Sequence, residues 1–519
     1  MDIYRKLLAD ERVVYLAKGT LVGLAAGFIV SLFRLGIEFI LETVVESYYH
    51  MQEQPIWLIP WVIFSVAAAI IVGKLVKSEP NIKGSGIPQV EGQVQGVMRL
   101  NWWPILWKKF VGGLLAIGSG LFLGREGPSI QLGSAVGQGV SNLTKGDDVE
   151  EKILLSSGAG AGLAAAFNAP LAGLMFVLEE VHHNFSPLLA ITTFASALVA
   201  NFVSLNIFGL TPALDIGMMN TIPIAYYGLV VGLGIFLGLN GWLYSKVALA
   251  LPKLYGRLPL IPARYNAILP FVLVIPIGYF LPQVIGGGSG LILQLSNWQL
   301  SLGLLLGLWM LRFVFSMISY GANVPGGIFL PILSLGAILG AIYGKAALVL
   351  LSFDPQYLPH FIIFAMAGYF TAIGKAPLTA IILVTEMVGG MNQLMPLAIC
   401  CFSAFVTSDL LGVDPIYESL LERLIASHDS KRLGKKYLFD LPVRAESHFS
   451  GKKIREIEWP EDVLVISIRR GQQNVVATGK TIMQTGDMLH ILTDLGLAKT
   501  VQEELKQLEK RQKRQLFDT

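Results

Sequence analysis

Apolar runs separated by short polar punctuation fill the chain as far as about residue 425, and their lengths fall into two classes. Stretches suited to crossing a bilayer run from Tyr15 to Ile40, Ile56 to Val76, Ile105 to Phe122, Pro187 to Phe208 and Ile224 to Leu249. Four more follow at Ala267 to Leu281, Leu302 to Ile318, Phe361 to Ile373 and Leu394 to Leu411. A full crossing takes about 20 residues. Five other runs are too short: Gly127 to Val140, Ile153 to Phe167, Pro170 to Leu178, Ile328 to Leu339 and Pro377 to Val388. Gly and Pro bracket these pieces, and broken backbone survives in hydrocarbon only where protein buries it or where it lines a polar cavity. Beyond residue 430 the pattern changes. KKIREI reads as a short helix, DVLVISIRR and GDMLHILTD as strands, and LAKTVQEELKQLEK as a closing helix. The expected fold is an all-α multi-pass membrane domain over residues 1–429, followed by a small α+β domain over residues 430–519.

The apolar part repeats itself. GSGI at Gly84 to Ile87 returns as GSGL at Gly288 to Leu291, an offset of 204. GREGPSIQLGSAVG at Gly124 to Gly137 returns as GIFLPILSLGAILG at Gly327 to Gly340, offset 203, and NAPLAGLMFVLEE at Asn168 to Glu180 returns as KAPLTAIILVTEM at Lys375 to Met387, offset 207. Three landmarks in one order at nearly constant spacing define two repeats, about 15–208 and 223–425. Duplicated, Gly/Pro-interrupted apolar segments point to a transporter or channel whose broken segments meet at the substrate site. An odd number of crossings in the first copy would invert the second, so an inverted repeat is expected.

Composition and charge sharpen this picture. Hydrophobic residues make up 53% of the 519 and charged ones only 14%, with mean hydropathy +0.60, where a soluble chain carries about a quarter charged residues. Residues 430–519 hold 29 of the 75 charges, which puts the boundary near Lys431, Arg432, Lys435 and Lys436. A net charge of +3 argues against nucleic acid as a partner. Cys400 and Cys401 are adjacent in an apolar run, a poor arrangement for a disulfide, and read as buried thiols. The charged, amphipathic start lacks the short apolar core of a cleavable signal peptide. Arg5, Lys6, Arg12 and Lys18 precede the first span and Lys74, Lys77 and Lys83 follow the second, whereas ESYYHMQEQ between them has no Lys or Arg. Positive-inside counting therefore puts both termini in the cytoplasm.

The chemistry concentrates at the broken segments. In Gly124-Arg125-Glu126-Gly127-Pro128 the glycines permit a sharp turn, and Pro128 suits the first turn of a helix whose amides lack internal partners. Such an N-terminus attracts anions. Glu126 occupies the place an anion would want, so its carboxylate competes with the anion until protonated; a plain dipole-stabilising acid is the other reading. The second copy replaces Glu126 with Phe329 but keeps Gly327 and Pro331, which leaves the free N–H groups of Ile328 and Phe329 as its contribution. Ser85 adds a hydroxyl at the same depth, although GSG alone is a common turn. Glu179 and Glu180 end an apolar helix, where acids oppose the dipole. Glu386 copies Glu179, which marks Glu179 as structural, while Glu180 aligns with Met387 and is left as the functional candidate. His182 and His183 lack a third ligand nearby, GYFTAIGKA departs from a phosphate loop, GAGAG suits close helix packing, and neither HExxH nor GxSxG occurs.

GSGIP (84–88), GREGP (124–128), GGIFLP (326–331) and the tyrosine of DPIYESLL (414–421) together resemble the CLC family of chloride channels and chloride/proton exchangers, over about Lys18 to Ile425. The resemblance implies a central chloride held by the hydroxyls of Ser85 and Tyr417 and the N–H groups of Ile328 and Phe329. It implies that Glu126 is the external gate and Glu180 the internal proton-transfer group typical of exchangers. It further implies a homodimer with one pathway per subunit in a cell membrane, chloride and protons as the transported ions, and neither cofactor nor catalytic or metal residue. Gln89 departs from the Glu often found after GSGIP, and Ser85 in place of Asn argues against the fluoride-exporting branch. The tail, about Tyr437 to Leu508, resembles the C-terminal subdomain of TrkA/RCK regulatory modules, which leaves a passive dimerisation domain and a small-molecule sensor both open. The expected function is chloride/proton exchange, with a passive voltage- or pH-gated chloride channel as the alternative. A receptor with a mere membrane anchor would not need duplicated broken helices.

Overall fold

A computed structural model of the chain describes residues 11–210, 212–214, 221–256, 266–295, 300–351, 354–429, 436–443, 447–460, 462–470 and 473–494, with positions 501, 504, 505 and 508. These fall into two compact units, residues 1–421 and 422–519. The first is helical throughout. Its helices are α1 (Glu11–Glu53), α2 (Leu58–Ser78), α3 (Ile87–Val94), α4 (Trp102–Gly118), α5 (Glu126–Leu143), α6 (Asp148–Phe167), α7 (Pro170–Phe176) and α8 (Pro187–Phe208). Then come α9 (Tyr227–Gly256), α10 (Ile268–Phe280), α11 (Ser289–Leu295), α12 (Leu302–Gly321), α13 (Phe329–Leu351), α14 (Leu358–Gly374), α15 (Pro377–Val388), α16 (Leu394–Leu410) and α17 (Ile416–Asp429).

Eight helices among the described residues are long and apolar enough to cross a membrane. The 43 residues of α1 extend about 65 Å at 1.5 Å per residue, roughly twice the hydrocarbon thickness, so this helix must tilt or protrude. Two segments expected to be short are not. The run expected over Ile328 to Leu339 continues as α13 for 23 residues, and that over Ile153 to Phe167 begins at Asp148, whose preceding Asp147 caps the amides of Val149 and Glu150. The apolar signal was cut short in one case by the glycines of GAIYGKAAL and in the other by the acids of the first turn; neither stops a helix that is packed on its neighbours.

The repeats are inverted, and two carboxylates demonstrate it. Glu179 lies at the end of the segment that begins with α7 and accepts from the amides of Leu378 (3.1 Å) and Thr379 (2.6 Å) at the start of α15. Glu386 lies at the end of α15 and accepts from the amides of Leu171 (3.1 Å) and Ala172 (2.8 Å) at the start of α7. Each helix caps the other's N-terminus with its own C-terminal acid, which is possible only if the two run antiparallel side by side. Solvation at the membrane edge is therefore not what holds Glu179. The same symmetry governs packing: Gly133 and Gly137 of α5 press on the backbone of α6 at Gly158 and Leu154, and their counterparts Gly336 and Gly340 of α13 press on α14 at Ala365 and Phe361, leaving no space for a Cβ.

The second unit is a four-stranded antiparallel sheet, order β1-β4-β2-β3, with β1 at Lys436–Pro442, β2 at Leu464–Arg470, β3 at Gln473–Val476 and β4 at Met488–Asp494. β2 and β4 are the strands read from the sequence, and KKIREI forms a single 3-10 turn at Ile454–Glu456. β1 and β3 carried no expectation. Of the closing helix only 501, 504, 505 and 508 are described, and these are helical; the rest lies outside the described residues, as do the first ten residues and 430–435. Phe439, Phe449, Ile468, Met483, Leu489 and Ile491 form a core of this unit's own residues, with the Phe449 and Trp459 rings stacked at 5.5 Å.

Candidate functional site

Three loops and two helix starts meet in the middle of the first unit. Gly124 and Gly327, equivalent positions of the two repeats, exchange backbone hydrogen bonds of 2.7 Å in both directions. Gly84 donates to Val324 O (3.1 Å) and receives from Gly326 N (3.0 Å). The three motifs singled out in the sequence, GSG, GREGP and GGIFLP, are thus stitched to one another by backbone alone. The glycines make this possible. A side chain on Gly127 would strike the Ser85 hydroxyl and backbone, and a Cβ on Gly327 would stand 3.2 Å from Gly127 N. Gly84 and Gly86 have φ +63° and +96°, in the left-handed region that favours glycine.

Helix α5 begins at Glu126 and α13 at Phe329, so both send free amides toward the junction. Among the described residues, no backbone acceptor outside the helices takes the N–H of Ile328 or Phe329. The Phe329 ring packs on Phe370 (4.4 Å between centroids) and Phe167 (5.6 Å), which anchors the start of α13 in the apolar core. Glu126 is fully buried. Its carboxylate folds over Gly124, beside Leu330 N and the ring of Pro331. The amides of Glu126 and Leu330 face it, yet neither oxygen reaches hydrogen-bond geometry. Ser85 Oγ and Tyr417 OH are likewise buried and make no hydrogen bond with the described protein groups. Buried polar groups are normally satisfied. Two hydroxyl donors, two helix starts and one loosely held carboxylate form a site matched to a small anion, with the carboxylate as a built-in competitor.

Tyr417, near the start of α17, joins this group from another direction. Tyr320, Glu180, Tyr244 and Glu91 all lie within electrostatic reach of it. Glu180 sits in a π-helical turn, Val177–Val181, that continues α7. This turn, a form frequent at functional sites, separates two neighbouring acids: Glu179 caps α15, while Glu180 points into the interior, 4% exposed. Glu179, Glu418 and Glu91, all acidic, lie within electrostatic reach of Glu180. The structure thus brings Ser85, Glu126, Ile328 and Phe329 to one junction, and places Tyr417 within electrostatic reach of both Tyr320 and Glu180.

Several residues at this site were not read from the sequence. Lys109 is fully buried and donates to Ile82 O (2.9 Å) and Gly84 O (2.8 Å), holding the GSG loop. Arg312 is its counterpart at offset 203, equally buried. It donates to Val284 O and Gly286 O (2.9 Å each), to Gly287 O (2.6 Å) and to Ser334 Oγ (2.9 Å) of α13. The repeat spacing that matched the glycines also matches these two cations. Arg125 and Arg34 both bind Glu38, at 2.6 and 3.1 Å, and both lie within electrostatic reach of Glu126. Glu91, 3% exposed, faces Glu180 and Glu418. Gln89 donates to Lys83 O (3.1 Å) behind the GSG loop, away from the anion donors.

Comparison with known proteins agrees with this geometry. A family model described as voltage gated chloride channel matches residues 65–409, and one described as the TrkA-C domain matches residues 438–506. The chain is 36% identical over 422 residues to a protein of Vibrio parahaemolyticus named H(+)/Cl(-) exchange transporter ClcA, covering 79% of this chain and 90% of that one. It is similar to the crystal structure of a slow cyanobacterial Cl-/H+ antiporter, with TM-score 0.77 and 29% identity over 80% of this chain and 99% of that chain. The fold alone extends to a eukaryotic CLC transporter, with TM-score 0.66 and 20% identity over 86% and 78% of the two chains.

Proposed function

This chain belongs to the voltage gated chloride channel family, the CLC proteins, and from that premise we propose that it is a secondary transporter that exchanges chloride for protons across a cell membrane. The observation that carries the reading is Glu126, a buried carboxylate lying loosely between two helix starts whose amides suit an anion. Deprotonated, Glu126 fills an anion position itself. Protonated, it loses its attraction for the amides and leaves, and chloride takes the place. Chloride entry and proton binding therefore favour the same state of Glu126, which links the two ions at one group.

In this scheme the central chloride is held by the hydroxyls of Ser85 and Tyr417 and the N–H groups of Ile328 and Phe329. Glu126 gates the outer side and Glu180, buried in the interior, takes protons from the inner side. Lys109 and Arg312 position the loops and offset the negative charge of ion and carboxylate. The Arg34–Glu38–Arg125 cluster makes the outer approach attractive to anions. Both termini are cytoplasmic, and the protein works as a homodimer with one pathway in each subunit. The TrkA-C tail regulates transport, as a dimerisation unit or a small-molecule sensor. The transported ions do the work of the cycle, and no cofactor takes part in it.

The deciding experiment uses purified full-length protein in liposomes. An imposed chloride gradient should drive protons uphill in the opposite sense, and a proton gradient should drive chloride. Chloride flux that leaves the proton gradient untouched would make the protein a passive channel.

A further inference from the structure

Tyr320 ends α12 at the junction just described. Its hydroxyl oxygen stands 3.5 Å from the position a Cβ on Gly84 would occupy, so the phenol reaches the GSG loop itself. The amide of Ser85 faces that oxygen, and Tyr417 lies within electrostatic reach. We propose that the Tyr320 hydroxyl is a third side-chain donor to the transported anion, forming with Ser85 and Tyr417 a three-hydroxyl cradle for a monovalent anion of halide size. The inference rests on the reading of Ser85 and Tyr417 as anion ligands.

Hydrogen-bond accounting supports it. A tyrosine hydroxyl has one proton to donate and lone pairs to accept with. If the oxygen accepts from the Ser85 amide, its proton must point elsewhere. Other tyrosines of this unit spend that proton on backbone carbonyls: Tyr343 on Leu229 O at 3.0 Å and Tyr255 on Ile318 O at 2.5 Å. Among the described residues, no carbonyl takes the Tyr320 proton in this way. Ser85 Oγ, on the loop that the phenol reaches, and Tyr417 OH, within electrostatic reach of it, are buried without partners among the described residues. Three hydroxyls with unspent protons at one place fit an acceptor that is not part of the protein. Neither Ser85 Oγ nor Tyr417 OH bonds another hydroxyl, so these protons are not spent among the three. The carboxylate of Glu126 does not serve as this acceptor, because it lies over Gly124 next to Leu330 N. Filling space is the plain alternative role for the ring, and phenylalanine would perform it equally well.

The test therefore compares Tyr320→Phe with wild type by calorimetric titration of full-length protein with potassium chloride, with Ser85→Ala as the control. Loss of one neutral donor should weaken chloride binding by about two- to tenfold in each variant. Weakening in Ser85→Ala with unchanged affinity in Tyr320→Phe would overturn this proposal while the chloride site stands. Unchanged affinity in both would overturn the site itself. A second measurement needs no substitution: crystals of the wild-type protein soaked in bromide should show anomalous density in hydrogen-bonding contact with the Tyr320 oxygen. Bromide bound to Ser85 and Tyr417 but beyond contact with Tyr320 would likewise overturn the proposal.

Discussion

A carboxylate at the start of a helix normally just stabilises the dipole, by about 0.3–1 kcal/mol. At Glu126 the surroundings ask for more than that, because the group is fully buried, no good hydrogen bond holds it, and Arg125 and Arg34 stand nearby. If it carries both proton binding and anion mimicry, Glu126→Ala should leave chloride flux running and abolish proton coupling. Liposome fluxes with simultaneous pH and chloride electrodes measure both; normal proton pumping in this variant would refute the gate. Glu180 and Glu179 allow a sharper comparison, since they are adjacent in sequence yet differently placed. Glu179 spends both oxygens on α15, with Thr379 Oγ1 adding a 2.7 Å bond, whereas Glu180 makes no cap and faces other acids. Glu180→Gln should stop proton transport and still pass chloride. If coupling survived in Glu180→Gln and disappeared in Glu179→Gln, the assignment of roles would be reversed.

The elements have their own consequences, and the reciprocal caps between α7 and α15 are the clearest. Hydrogen bonds to a charged group contribute about 1.5–3 kcal/mol each. Glu386→Gln and Glu179→Gln should therefore each lower the thermal stability of the detergent-solubilised protein, and the double variant should lose no more than the two singles combined, since the carboxylates cap different helix starts. Stability unchanged in both singles would mean that solvent holds these acids after all. These elements also show what the residue pattern reveals and what it hides. The helix starts at Glu126 and near Phe329, the short segment opening at Pro170 and the structural reading of Glu179 were legible, because glycine, proline and a repeated acid leave marks at fixed offsets. Ser85 could be singled out only through the repeat. Lys109 and Arg312 went unread because a charge in an apolar run looks like an interfacial residue until the carbonyls it binds are known. The true length of α13 was hidden by its glycines, which here serve close packing on α14 rather than helix termination. In the tail, β2 and β4 were readable as unbroken apolar runs. β1 escaped because Asp440 and Pro442 interrupt a short apolar run that shows no alternation, and β3 because four residues are too few to show one.

At the scale of the whole chain, the two units divide the work, and each can be perturbed separately. The second unit adds to its core a half-buried ion pair: Arg470 grips Asp487 through Nε (2.8 Å) and NH2 (2.7 Å), and Gln484 N adds a bond of 2.8 Å. Burial works against the Asp487 charge, but the Arg470 guanidinium and that amide outweigh it and hold the carboxyl below the usual range. A depressed carboxyl stabilises the fold at every pH above its unfolded value, about 3.9, and loses that contribution as acid carries the pH down through the folded value. Asp487→Asn should hence weaken the tail at neutral pH and remove this part of its acid sensitivity, read from urea midpoints of β4 by exchange mass spectrometry in the full-length chain. The first unit, by contrast, already contains both helix starts, Ser85, Glu126, Glu180 and Tyr417, and the core of the second unit draws on none of its residues. A chain ending at residue 430 should consequently still exchange chloride for protons, with only the rate altered. A sensor in the tail could change that rate only if its ligand bound two transport states unequally, since equal affinity shifts nothing. Matched liposomes with full-length and shortened protein decide the matter. Full loss of exchange in a shortened protein that stays monodisperse would make the tail a working part of the transport cycle rather than a regulator of its speed.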